Sequence, residues 1–416
     1  MLIFSYILMN GETLYLIVLF IGLALLLSQV ISFNFGESYI RADKPKIETD
    51  GEVLRFQVIG DFGNLNPHLT DSELPIHQVA KSMNFFANQN PISMVLTTGD
   101  NFYSQRSMCY FNTTLNIMSD QMNYSSLKTV PWYLLYGNHD CYNKIDYGEY
   151  LELIYPYIYM PKSPWNMTVQ LNNFSVSFTF LPCDFSCIGN SILYRIERQC
   201  AHMGSKLNNF TAYKWLDKQL TEISKEPKIK WKVVLIHYPI FSVSASVADN
   251  EILKKYLFPI LAKHKVDLVI SGHNHNMQLL AANISEPYKN QKLDINCLSP
   301  NYIKCNNSYI YCLNKNTTCP SSNYNCEDKI TFEDSPTYYY PAKSIKKGSY
   351  LLQVIQGSGG STIDYLCPNL TSPMADMLFG KAAYGFSEFT ITSSSISINF
   401  IDSNTSTVLF NTVLEE

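Results

Sequence analysis

The 416-residue chain has no block of basic residues, no acidic tail, and only 16% charged residues. A net charge of −4 leaves no electrostatic footprint for nucleic acid and nothing basic enough to grip an anionic membrane surface. No hydrophobic tail closes the sequence, so no lipid anchor is expected at that end. Hydrophobic residues make up 46%, which excludes global disorder and supplies a sizeable core for one large domain or two average ones. Histidine is scarce. There are eight, and two of them, His273 and His275, stand one residue apart in "SGHNHN".

Basic residues are also missing ahead of the one long apolar run. Thr13 to Gly36 carries no charge, and Leu14 to Leu27 ("LYLIVLFIGLALLL") is a fourteen-residue hydrophobic stretch followed by Val30-Ile31-Ser32. That length and those small outer residues predict a secretory signal over 1–32, cleaved after about Ser32. Retained with Gln29 to Phe35, the run is nearly long enough for a signal anchor. Both readings send the rest of the chain to the lumen or outside. Ten Asn-x-Ser/Thr sequons agree: Asn112, Asn123, Asn166, Asn173, Asn209, Asn283, Asn306, Asn316, Asn369 and Asn404. Eleven cysteines suit an oxidising compartment. Five of them (Cys297, Cys305, Cys312, Cys319 and Cys326) lack the C-x-x-C pairing of a zinc knuckle and point to disulfides, with one thiol of the odd total left over.

Short apolar runs follow, several ending at Gly-Asp, Gly-Asn or Gly-His: "VLRFQVIGDFGN", "ISMVLTTGDNFY", "VPWYLLYGNHD", "WKVVLIHYP" and "VDLVISGHNHN". Each reads as a strand and then a loop. Helical periods fall between them, at Leu74 to Asn88, Ala212 to Ser224 and Asn250 to His264. Buried strands alternating with helices predict an α/β fold with helices covering the sheets. The pattern fades over 285–347, which reads as a cysteine-rich insertion. It resumes at "SYLLQVIQGSGG" and ends in consecutive strands from Phe386 to Leu414.

Strand-end loops gather polar residues into one crevice. Here they carry Asp61; Asp100 and Tyr103; Asn138 and His139; His237; and His273 with His275. Each loop alone is an ordinary turn. Five in order, mixing carboxylate, amide and imidazole, suit hard or borderline cations such as iron, zinc or manganese.

The blocks "GDFG", "GDNFY", "GNHD", "VLIH" and "GHNH" resemble, in order, those of the purple acid phosphatases (GDxG, GDxxY, GNH(D/E), VxxH and GHxH), within the calcineurin-like metallophosphoesterases. "HYPIFS" and the closing strands resemble the short, tartrate-resistant type. The likeness runs over Leu54 to Ala282 and Ser349 to Thr412. It implies a two-sheet sandwich flanked by helices, of the α-β-β-α type, over 48–412 and interrupted by the insertion. It also implies that Asp61, Tyr103 and His275 bind a ferric ion, and that Asn138, His237 and His273 bind divalent iron, zinc or manganese. Asp100 would bridge the two ions and His139 would face the substrate phosphate.

Two cations about 3.5–4 Å apart can clamp a phosphoryl group while one ionises water as the nucleophile. Asp61, Asp100 and a Tyr103 phenolate would give −3 against +5, so one hydroxide leaves a net +1 that attracts a phosphate monoester. The implied protein is a secreted or lumenal acid phosphatase acting on phosphorylated small molecules or phosphoproteins. A calcineurin-like phosphodiesterase is the alternative, but it typically carries D-x-H where Asp61-Phe62-Gly63 stands. A non-catalytic binding protein on this scaffold is expected to have lost ligands, and none is missing. His68, His77, His202 and His264 lie outside the blocks and read as surface or structural residues. "TYYYPAK", from Thr337, reads as packing of the insertion or as a border of the site.

Overall fold

The computed structural model describes residues 47–49, 51–63, 74–103, 123–141, 148, 151–152, 155–182, 209–244, 250–285, 302–305, 308–311, 338–339, 345–364, 366 and 374–416. All belong to the compact unit Pro45–Glu416. The expected signal segment 1–32 and most of the 285–347 insertion lie outside the described residues, as do Cys297, Cys312, Cys319, Cys326, His68 and His202.

Two eight-stranded sheets form the centre. The first contains β1 (Leu54–Ile59), β2 (Met94–Thr97), β3 (Trp132–Tyr133) and β4 (Ile158–Tyr159), paired in parallel. The second contains β5 (Trp165–Gln170), β6 (Ser175–Leu181), β7 (Ile229–Ile236), β8 (Leu268–Ser271) and β9 (Met277–Asn283). A hairpin of β10 (Tyr302–Cys305) and β11 (Ser308–Tyr311) stands apart, and β12 (Tyr338–Tyr339) joins the second sheet at its edge. β13 (Ile345–Lys346) returns to the first sheet, while β14 (Tyr350–Gln356) and β15 (Ala375–Lys381) complete the second. The closing strands β16 (Gly385–Ile391), β17 (Ser395–Asp402) and β18 (Thr407–Glu415) form an antiparallel meander in the first. β1 lies between β16 and β2, antiparallel to one and parallel to the other.

The two-residue period of a strand explains the layers. On β7, Trp231, Val233 and Leu235 enter the core between the sheets, whereas Val234 and Ile236 enter the core beneath helices. Phe56 of β1 joins the sheets directly, meeting Phe178 of β6 edge-on at 5.5 Å and stacking on Phe389 at 4.9 Å. Helix α1 (Pro75–Gln89) covers the outer face of the first sheet through Ile76, Val79, Ala80, Met83 and Ala87, one stripe at helical spacing. Short α2 (Asn138–Cys141) follows β3. Helix α3 (Asn209–Ile223), with α4 (Glu251–Tyr256) and α5 (Phe258–Lys263), covers the second sheet. The expected α-β-β-α sandwich is therefore present.

Two local differences have physical causes. The helix expected over Asn250 to His264 is two helices broken at Leu257, because Pro259 has no N–H to continue the ladder. Asn250 caps the first, its side-chain oxygen accepting from the N–H groups of Ile252 and Leu253 at 3.1 Å each. The sequence reading also passed over β5 and β6, whose Ser and Thr residues dilute the apolar signal although all seven residues of β6 are buried.

Candidate metal centre

The parallel strands β1, β2 and β3 of one sheet and β7 and β8 of the other deliver all five loops to one crevice. The sheets are laced together there. Thr98 Oγ1 donates to the Gln356 carbonyl at 2.9 Å, and His237 Nδ1 lies 2.8 Å from the Thr98 carbonyl. Three of the expected site residues hold left-handed backbone: Asp61 (φ 55°), Asp100 (φ 52°) and His273 (φ 68°). Each follows a glycine. That conformation costs a residue with a Cβ about 1–2 kcal/mol, and such strain collects at functional sites. Close approach dictates some of the glycines. A Cβ on Gly137 would lie 2.2 Å from Asp100 Oδ1, and one on Gly272 would lie 2.4 Å from Asp61 Oδ2.

The side chains converge in two groups. In the first, Tyr103 Oη lies 3.0 Å from His275 Nε2 and 3.4 Å from Asp61 Oδ1, and the latter two are 3.5 Å apart. In the second, Asn138 Oδ1 lies 2.9 Å from His237 Nε2 and 3.0 Å from His273 Nδ1. Asp100 Oδ1 is 3.4 Å from His237 Nε2, and donor atoms of Asp100, His237 and His273 all fall within 4.8 Å of one another. Donors held about 2.0–2.2 Å from one cation are themselves about 2.9–3.5 Å apart, so both groups have the spacing of ligand sets. Every expected metal-ligating residue is therefore in one group or beside it. His139 stands at their edge, its ring stacked on Tyr103 at 4.1 Å and its Nε2 4.0 Å from Asp100 Oδ2.

The chemistry of the donors fits a cation as well as their spacing does. With the Nδ1 hydrogen of His237 given to the Thr98 carbonyl, Nε2 of the neutral ring is a lone pair facing the lone pairs of Asn138 Oδ1. Two acceptors 2.9 Å apart need a proton or a metal ion between them. With no metal ion there, burial pushes His237 down, but Asp100 outweighs it and lifts the imidazole to about 9. His275 likewise rises to about 9, Asp61 overcoming burial. Its Nδ1 is 2.8 Å from the Thr362 carbonyl, the kind of outer hydrogen bond that orients a ligating histidine.

Burial and then the Asp100 and Asp61 charges push Tyr103 well above the ordinary phenol range. A neighbouring cation reverses that repulsion. Burial and His237 hold His273 well below the usual range, leaving it a neutral donor. Burial also lowers His139, partly offset by Asp100. Its imidazolium therefore forms at more acid pH than an exposed histidine's.

Two sets of residues at the site received no role in the sequence reading. The loop after β14 supplies the Thr362 carbonyl to His275, and Asp364 exchanges two bonds with the same residue: its Oδ2 accepts from the His275 N–H at 3.0 Å, and its own N–H donates to the His275 carbonyl at 2.9 Å. Ser361 hydrogen-bonds to Tyr103. The apolar run ending in "IQGSGG" was the available signal, the same strand-then-glycine pattern as four of the five blocks, without a ligand type. The other is Asp140, 2% exposed, whose carboxylate accepts four N–H bonds. Burial first, then the Asp100 charge, pushes it up to about 7 against the donors that favour its charged form. Of the remaining histidines, His264 is structural: its Nε2 lies 2.7 Å from Asp217 Oδ1.

A two-sheet sandwich with helices outside and mixed oxygen and nitrogen donors at the strand ends is a scaffold suited to a hard or borderline cation, and the family is identified by the sequence itself. Sequence comparison agrees: the chain belongs to the calcineurin-like phosphoesterase family, whose model matches residues 54–277. It is 26% identical to tartrate-resistant acid phosphatase type 5 of Sus scrofa over 239 residues, 55% of this chain and 66% of that protein. Purple acid phosphatase PPD1 from yellow lupin (Lupinus luteus) seeds shares the fold at TM-score 0.53 and 14% identity, over 89% of this chain and 55% of that one. GAP50, the anchor in the inner membrane complex of Plasmodium, shares it at TM-score 0.55 and 18% identity, over 88% of this chain and 89% of that one. These two structural likenesses carry the fold alone.

Proposed function

We propose that the protein is a dinuclear acid phosphatase that hydrolyses phosphate monoesters, on small molecules or phosphoproteins, as a secreted or lumenal glycoprotein with disulfides. Asp61, Tyr103 and His275 would hold a ferric ion; Asn138, His237 and His273 would hold divalent iron, zinc or manganese; Asp100 would bridge. When bound, the two ions supply positive charge for the phosphoryl oxygens and acidify the attacking water. His139, 36% exposed and stacked on Tyr103, is placed to donate an N–H to a phosphoryl oxygen or, when protonated, to the leaving alkoxide.

One observation carries this reading over the phosphodiesterase alternative: the phenol oxygen of Tyr103 forms a triangle with Asp61 Oδ1 and His275 Nε2, 3.4 and 3.0 Å from them. A phenolate favours a trivalent ion by charge, and a trivalent ion acidifies water further than a divalent one. All seven donors are retained, which a binding protein on the same scaffold has no chemical need to keep. Metal analysis with a visible spectrum tests the proposal. It expects two ions per chain, one of them iron, a coloured ferric–tyrosinate protein, and faster turnover of an aryl phosphate monoester than of the matching diester. A colourless protein with ferric iron bound, or a preference for the diester, would overturn it.

A further inference from the structure

We propose that Asp140 is a positioning residue of the centre. Its buried carboxylate clasps the loop of Asp100 and Tyr103 to the loop of Asn138 and His139, and so fixes the Asp100 carboxylate, which lies against His237 and His273. The inference rests on reading Asp100 as the bridge. It assigns a task to a residue that touches neither substrate nor cation in that reading.

The geometry starts at Asp100, whose left-handed backbone (φ 52°) turns the next two N–H groups toward one point. Consecutive N–H groups after such a residue form a concavity for an anion. Here Asp140 fills it: Oδ2 accepts from the Asn101 N–H at 3.2 Å and Oδ1 from the Phe102 N–H at 2.8 Å. A carboxylate in that concavity favours the conformation that a residue with a Cβ otherwise avoids. The same Oδ2 accepts from the Gly137 N–H at 2.8 Å, one residue before Asn138, and from the Asn101 side-chain amide at 2.9 Å. That amide also donates to the Leu135 carbonyl at 2.7 Å, tying the clasp to the end of the third strand segment.

One residue thus sets the distance between ligand loops that the chain separates by more than thirty positions. The donors divide between both oxygens, so a carboxylate suits the place and an amide does not. Asn at 140 would turn an NH2 group toward an N–H group. The pattern GNH(D/E) admits the longer acid at the same position, which makes Glu the conservative replacement.

The test compares Asp140→Asn and Asp140→Glu in the full chain, with Asn101→Ala as a variant that removes a single side-chain donor. In metal-free protein, hydrogen exchange is expected to accelerate in Asp140→Asn over 98–103 and 135–138, with the rest of the sandwich unchanged. With metals restored, kcat on an aryl phosphate should fall about 10–100-fold with little change in KM, as for other residues that orient ligands. Asp140→Glu should recover most of both losses. Asn101→Ala should lose the same local protection at smaller amplitude, and it decides the matter if Asp140→Asn does not fold.

Wild-type exchange in a folded Asp140→Asn or Asn101→Ala variant overturns the clasp. So does a lowered melting temperature with unchanged kcat, or an Asp140→Glu variant as impaired as Asp140→Asn. If the wild-type protein binds no metal, the proposed phosphatase fails and the bridge with it. The exchange result still decides whether Asp140 joins the loops, so the two failures are separable.

Discussion

The two sheets contribute different chemistry to one crevice. Loops of the first sheet bring oxygen donors: the carboxylates of Asp61 and Asp100, the phenol of Tyr103 and the amide of Asn138. Loops of the second bring nitrogen: His237, His273 and His275. Neither sheet completes a ligand set, because Asp61 and Tyr103 meet His275 across the crevice and Asn138 meets His237 and His273. Ligand sets split in this way couple metal binding to formation of the sandwich, since a cation held by both sides binds the assembled protein and not the unfolded chain. The division also places oxygen acceptors that repel one another on one side and imidazoles on the other, so a cation at their boundary would relieve the repulsion.

The largest break in this comparison is expected from Asp100→Ala, which removes the carboxylate grouped with His237 and His273 and proposed to bridge the two ions. Hydrolysis should be abolished and the metal content should fall well below two ions per chain, measured by elemental analysis of purified protein. Full retention of both ions would sink the proposed bridge. Tyr103→Phe takes one oxygen from the first sheet and leaves the second sheet untouched. The visible band of ferric protein should disappear while the fold remains, checked by absorption and circular dichroism together. A band that survives the substitution would assign the colour to another group.

Phe56→Ala attacks the junction between the sheets far from the crevice. Its ring is fully buried against Phe178 and Phe389, and its loss should cost about 3–5 kcal/mol of stability. If the cations draw on both sheets as proposed, loading at a hundred times the dissociation constant should return about 2.7 kcal/mol in wild type and variant alike. Urea denaturation with and without chelator measures both. A variant that metal does not stabilise would show that the sheets and the centre are uncoupled.

The blocks were legible because each ligand loop is local. An apolar strand and a donor stand together in sequence, with a glycine between them in four of the five blocks, and the chemistry of the donor announces itself. Asp61, Asp100, Tyr103, Asn138, His139, His237, His273 and His275 are brought to one crevice for that reason. The roles of Asp140, although it stands in the "GNHD" block, and of the loop from Gly357 to Asp364 were not legible, since their work is hydrogen bonding to the loops of the site and depends on contacts across the chain. β5 and β6 were hidden for a related cause: buried hydroxyls such as Ser177 and Thr179 read as polar until their neighbours are known. Pro259 was visible, but a helical period on both sides of it concealed the break.

The smallest expected effect lies beside the same β7 and β8 strands, at the end away from the crevice, where a buried carboxylate has protein groups alone for company. Asp267 precedes β8 and is 2% exposed; its Oδ2 accepts the Lys232 N–H at 2.8 Å. Burial raises its pKa to about 6, with Lys347 and Lys232 opposing the rise. A carboxyl raised above its unfolded value of 3.8 contributes full stability below that value, and the contribution is lost as pH climbs through about 6. At about 1.36 kcal/mol per pKa unit, the loss at neutral pH is on the order of 1–3 kcal/mol. Asp267→Asn keeps an oxygen for the Lys232 N–H and removes the charge. Metal-free Asp267→Asn should therefore be more stable than wild type at neutral pH by about that amount, with the advantage fading as the pH approaches about 4, where wild-type Asp267 is itself largely neutral. Denaturant titrations across that range measure it. A variant less stable than wild type at neutral pH would mean that attraction to Lys347 and Lys232 outweighs burial, and that this end of the sandwich, like the crevice, is built to hold charge.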